Sequence, residues 1–102
     1  MLDVDGVVIE DCIFDNIDNS PIDIEPNFSF QFARNIAIDN CHLTNYETYG
    51  VVAIPGGALS TSVYPDQMET LKIRDCYFDS QDQGIEGILA YSWIDVTIAG
   101  CT

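Results

Sequence analysis

The chain has 102 residues, is 47% hydrophobic and sets 17 acidic against 3 basic side chains, so it holds at most one domain with a net charge of −14. That balance argues against nucleic acid as a partner, because phosphate contacts need Lys and Arg, and equally against tight binding of polyanionic glycans without bridging cations. No stretch approaches the ~18 apolar residues of a membrane span, and Met1-Leu2-Asp3-Val4-Asp5 lacks the basic start and apolar run of a signal peptide.

In chain order, the first element is Val7-Val8-Ile9-Glu10-Asp11-Cys12-Ile13-Phe14. It recurs as Ile36-Ala37-Ile38-Asp39-Asn40-Cys41-His42-Leu43, as Leu71-Lys72-Ile73-Arg74-Asp75-Cys76-Tyr77-Phe78, and as Val96-Thr97-Ile98-Ala99-Gly100-Cys101. Apolar residues alternate in each copy, which is the strand period. Val7, Ile36, Leu71 and Val96 form one inward column, and Ile9, Ile38, Ile73 and Ile98 form the next. Before each Cys stands Asp11, Asn40, Asp75 or Gly100, all types that tolerate unusual backbone angles, so a sharp bend is expected there. A second short strand follows each Cys. Asn16, Asn45 and Ser80 then mark a second bend, where they are expected to form a ladder of like-to-like side-chain bonds.

A third strand closes each unit. Pro21-Ile22-Asp23-Ile24-Glu25-Pro26, Gly50-Val51-Val52-Ala53-Ile54-Pro55 and Gly87-Ile88-Leu89-Ala90-Tyr91-Ser92 lie over one another. The inward columns are Ile22/Val51/Ile88 and Ile24/Ala53/Ala90. The outward columns are Asp23/Val52/Leu89 and Glu25/Ile54/Tyr91. Repetition of this kind predicts stacked units rather than a single closed core. The units run over roughly 4–33, 34–68 and 69–93, with a fourth starting at 94–102.

These blocks resemble the right-handed parallel β-helix of pectate-lyase-like proteins, polygalacturonases and phage tailspikes. The resemblance covers nearly the whole chain apart from loops near 27–33 and 56–68. Ile22-Asp23-Ile24-Glu25-Pro26-Asn27 also resembles a Gly-Ile-Asp-Ile-Glu-Pro-Asn string of β-helix proteins that act on or bind polysaccharides, with Pro21 in place of Gly. The resemblance implies an all-β solenoid of about three coils, extracellular or virion-associated, with polysaccharide as partner. The chain starts and stops within a repeat, so an uncapped segment is expected, its ends covered by flanking coils of the same chain. A cap supplied by a partner is the alternative, and the resemblance to tailspikes implies a homotrimer as the assembly.

Asp23 and Glu25 are the candidate catalytic pair. They alternate with inward Ile22 and Ile24, and two residues along a strand span ~6.6 Å. Inverting glycosidases hold their carboxyls ~6.5–9.5 Å apart, so glycosidic hydrolysis is the predicted chemistry, with a non-catalytic adhesin or structural shaft as the alternative. The polygalacturonase pattern is not followed: Asn19-Ser20-Pro21-Ile22-Asp23 has Pro21 where those enzymes have their first catalytic aspartate, and no Gly-His-Gly or Arg-x-Lys occurs. A lyase needs a base, and only Arg34, Lys72 and Arg74 exist. Arg74 shares an outward column with Asp39, which predicts a surface ion pair.

Asp79, Asp82 and Glu86, with Tyr91 and Trp93, are the candidate sugar-binding residues, the rings by stacking and the acids by hydrogen bonding. Exposed apolar patches are normally covered. The outward Val52, Ile54, Leu89 and Tyr91 are therefore expected beneath the loop 56–65 or another subunit. No cofactor is predicted; calcium suits the many carboxylates, and pectate lyases use it, but no metal site can be assigned. The four cysteines lack any Cys-x-x-Cys pair and occupy one slot each, which predicts buried free thiols rather than disulfides or zinc. His42 reads as a surface residue, and Asn27-Phe28-Ser29 as a chance sequon.

Overall fold

Alternating β-branched residues form strands wherever the blocks recur. Residues 4–26, 32–54, 68–80, 86–90 and 93–102 are described by the computed structural model. A first sheet contains β1 (Val4–Glu10), β4 (Ala33–Asp39), β7 (Met68–Arg74) and β10 (Val96–Ala99), hydrogen-bonded in the order β1-β4-β7-β10. A second contains β2 (Ile13–Asp15), β5 (His42–Thr44) and β8 (Tyr77–Asp79). A third contains β3 (Ile22–Ile24), β6 (Tyr49–Ala53) and β9 (Glu86–Ala90). Every pairing is parallel. The chain is thus all-β, and it visits the three sheets in the same order in each repeat, an arrangement compatible with a parallel β-helix.

The register follows the sequence columns. Val7 pairs with Ile36 and Ile36 with Leu71, while Ile22 pairs with Val51 and Val51 with Ile88. Inward residues of all three sheets meet in one core that includes Ile24, Ile36, Ile38, Leu43, Val51, Leu71 and Ile73. Each such side chain, fully buried, contributes about 1.5–3 kcal/mol over its exposed state. The column ends differ, because a terminal strand has a neighbour on one side only. Val96 and Ile98 on β10 are 41% and 50% exposed, whereas their counterparts on β4 and β7 are buried.

The bends occur where the turn-forming residues stand. Asp11, Asn40 and Asp75 have φ of 55°, 51° and 55°, and Gly100 has 67°. Asn and Asp reach this left-handed region at small cost, and glycine at none. A Cβ at Gly100 would also collide with the Asp75 carboxylate. The backbone ladder continues through the bend, with Asp11, Asn40 and Asp75 N–H groups donating to Asp39, Arg74 and Ala99 carbonyls.

Two details differ from the sequence expectation. Strands β1, β4 and β7 begin three residues before the repeated block and carry a left-handed kink at Gly6, Asn35 and Thr70. Asn16 and Asn45 do bend left-handed, at φ 58° and 54°, but they form no like-to-like ladder. Asn45 Nδ2 instead donates to Asp15 Oδ1 at 2.7 Å, since the acid one residue earlier in the adjacent strand lies closer to its amide. Outward Val52 is only 8% exposed, and Ile54 and Leu89 are half-buried, so this apolar surface is not a bare face. The expected cover, residues 56–65, lies outside the described residues, as does the sequon at 27–29.

Candidate functional site

The outward face of the third sheet holds the candidate site. Ile22 and Ile24 anchor β3 inward, so the intervening Asp23 and the following Glu25 are turned to the opposite side. Just before β3 the chain bends at Asn19, whose φ is 61°. That bend is tied to the next repeat. Glu47 and Thr48 N–H groups donate to Asn19 O, Tyr49 N–H donates to Ser20 Oγ at 3.4 Å, and the Ser20 and Thr48 hydroxyls bond at 2.9 Å. A cavity of about 380 Å³ opens on this face. Asn19, Ser20, Thr48 and Tyr49 make its polar rim, and Asp23 and Glu25 lie beside them. Val52, Ile54 and Leu89 supply an apolar wall.

The two carboxyls interact directly. Burial pushes the Glu25 pKa above its ordinary 4.5, and the Asp23 negative charge and a hydrogen bond between the two side chains push it the same way. A spacing of ~6.6 Å therefore belongs to the backbone and not to the carboxyls, because side chains on one strand face lean along the strand toward each other. Glycosidases keep their carboxyls ~5–5.5 or ~6.5–9.5 Å apart. The hydrogen bond between the two side chains, and not the strand rise alone, sets how near the carboxyls stand. What the pair offers is two adjoining carboxyls, of which Glu25 is the one that ionises less readily than usual.

The other predicted residues are distributed over the molecule. Glu86 opens β9, opposite Tyr49 of β6 in the third sheet. Asp79 ends β8 in the second sheet, in register with Thr44, and accepts the Tyr77 hydroxyl at 3.4 Å. Trp93 packs half-buried against the core and donates its indole N–H to Ala53 O at 3.0 Å. Neither Asp79 nor Trp93 lines the cavity. Asp82 and Tyr91 lie outside the described residues. The rim residues Asn19, Ser20, Thr48 and Tyr49 escaped notice in the sequence. Their signal is positional: polar residues stand immediately ahead of two aligned third strands.

Other chemistry-bearing groups are structurally committed. All four cysteines are free thiols, with Cys41 and Cys76 buried. The Cys76 thiol donates to Arg74 O at 3.3 Å and Ile38 O at 3.6 Å, and burial raises its pKa to about 11. The predicted Asp39–Arg74 pair is present and bidentate, at 2.8 and 2.9 Å. It holds the Asp39 carboxyl below its ordinary pKa. His42 is exposed, its ring 5.7 Å from that of Tyr77. Among the described residues no group of three or more His, Cys, Asp or Glu is placed to hold a metal ion.

No protein-family model, no curated protein and no solved structure matches the chain.

Proposed function

We propose that the chain is a right-handed parallel β-helix module of a secreted carbohydrate-active protein or a phage tail, and that its third-sheet groove binds polysaccharide. One observation carries the reading: a carboxyl pair, a hydroxyl rim and an apolar wall share a single open groove. Hydroxyl-rich ligands with apolar C–H faces need that combination, a few placed polar groups against an apolar surface. The repeated order of three parallel sheets supports the β-helix part of the reading.

A second reading, hydrolysis, rests on the adjoining carboxyls, since burial and the Asp23 charge move the Glu25 pKa in the direction a general acid needs. In it Glu25 protonates the glycosidic oxygen and Asp23, released from the contact, serves as the ionised partner. A shaft without chemistry is the remaining alternative.

One experiment separates them: polymer binding and reducing-end release over a polysaccharide panel, with Asp23→Asn and Glu25→Gln beside the parent. Binding that weakens in both variants without release is the expected result. Release that either variant abolishes makes the groove hydrolytic. A failure to bind any polymer leaves the shaft.

A further inference from the structure

The groove's lining side chains are acidic or neutral throughout, and the basic side chains stand elsewhere. The three basic side chains, Arg34, Lys72 and Arg74, belong to β4 and β7 of the first sheet, and the single His42 belongs to β5 of the second. Two of the three are engaged there. Arg74 clamps Asp39, while Arg34 lies 4.0 Å from Glu69 and over the Phe32 ring at 4.5 Å. No Lys, Arg or His stands on the third sheet. The residues outside the described ranges contain none either, so the rest of the chain can bring no basic side chain to the groove.

Resting on the polysaccharide reading, we propose that the groove selects uncharged glycans and rejects uronate- or sulfate-bearing ones. An anionic sugar seated against the apolar wall of Val52 and Leu89 places its charge beside Asp23 with no basic side chain to receive it. The chain's net charge of −14 repels a polyanion before contact as well. Hydroxyls meet no such obstacle, because they can donate to the carboxyl oxygens of Asp23 and Glu25. Like charges ~4–6 Å apart cost about three- to fivefold in affinity at the dielectric of water and about a hundred- to a thousandfold near a protein surface, so for this open groove, toward the solvent end of that range, a preference of about tenfold is expected.

The test compares matched polymers that differ only in charge: methyl-esterified pectin with its de-esterified form, and dextran or cellulose with their sulfated derivatives. Affinities are measured with a chelator present, which removes bridging cations. Weaker binding of each charged form, by about tenfold and narrowing with added salt, is expected. The Asp23→Asn/Glu25→Gln double variant should shrink that gap, and Ile54→Lys, which puts a cation on the groove wall, should favour the charged form. Circular dichroism checks that the variants keep the fold. Equal or tighter binding of the charged forms by the parent overturns this inference and leaves the polysaccharide reading standing. Binding to no polymer removes both.

Discussion

Gly50 and Gly87 flank one aromatic ring, and replacing each by alanine separates packing from backbone entropy. A Cβ at Gly50 would stand 2.6 and 2.8 Å from two Phe78 ring carbons and 3.0 Å from the Gly87 carbonyl oxygen. Ordinary carbon contacts are ~3.5–4.0 Å, so the ring would have to give by about 1 Å and the carbonyl by a few tenths of an ångström. The half-buried ring can swing outward, but the Gly87 carbonyl belongs to the adjoining strand and cannot. Overpacking of this size costs ~1–3 kcal/mol. Alanine recovers ~0.4–1 kcal/mol by restricting the unfolded chain, which leaves Gly50→Ala destabilised by about 1–2 kcal/mol. At Gly87 the nearest ring atom is 3.2 Å away, so a shift of a few tenths of an ångström suffices and Gly87→Ala should be near neutral. Urea unfolding of both variants, alone and combined with Phe78→Leu, measures the difference. Phe78→Leu should restore much of the Gly50→Ala loss, with a coupling above the ~0.5 kcal/mol scatter of independent sites. Equal midpoints for the two alanine variants, or an additive cycle, would refute the argument.

Two further outcomes follow from titration and burial. A raised carboxyl pKa favours the protonated fold, so the stability linked to Glu25 is complete below 4.5 and declines as pH rises through its folded pKa. Urea midpoints of the parent should therefore fall behind those of Glu25→Gln on raising the pH, and a gap that stays constant would count against the buried-pair explanation. For the thiols, Cys12 and Cys101 should react with a disulfide reagent in the native state while Cys41 and Cys76 wait for unfolding. Four equal rates in native buffer would mean that the thiol column is open.

The repeat could be read from the sequence because three local signals agreed in every copy: alternation, a left-handed-tolerant residue before Cys, and an apolar residue after it. Register then followed, since a slip of one residue turns each inward Ile outward. The kink at Gly6, Asn35 and Thr70 was not legible, because three unlike residues share it. Thr70, at φ 64°, is β-branched and argues against that conformation by type. Tyr46 is another case. It is 2% exposed in the core, while Ile17, at the same offset from its own Cys, is 41% exposed on the outermost repeat. Neighbours on both sides, not residue type, decide that difference. The acid pair was legible as a pair, but its carboxyl contact depends on how the side chains lean, which the spacing of Cα atoms does not reveal.

The outward faces of the three sheets treat their acids differently, and the difference is what sets the third apart. On the first sheet Asp39 is clamped by Arg74, and on the second Asp15 accepts from Thr44 and Asn45; both carboxyls are held below their ordinary pKa. On the third, Asp23 of β3 is followed in register by Val52 and Leu89 instead of a base or an amide. Glu25 is left half-buried with Asp23 as its charged neighbour, and its pKa moves up. A sequence under pressure for stability alone would place a polar neutral residue there. Groups held at an electrostatic cost gather at functional sites, where the same arrangement that weakens the fold prepares a ligand contact. Glu25→Gln should consequently gain stability and lose glycan affinity at neutral pH, the trade expected of a functional residue. If it gained stability with binding intact, the groove would be an ordinary solvated face and the function would lie on another surface.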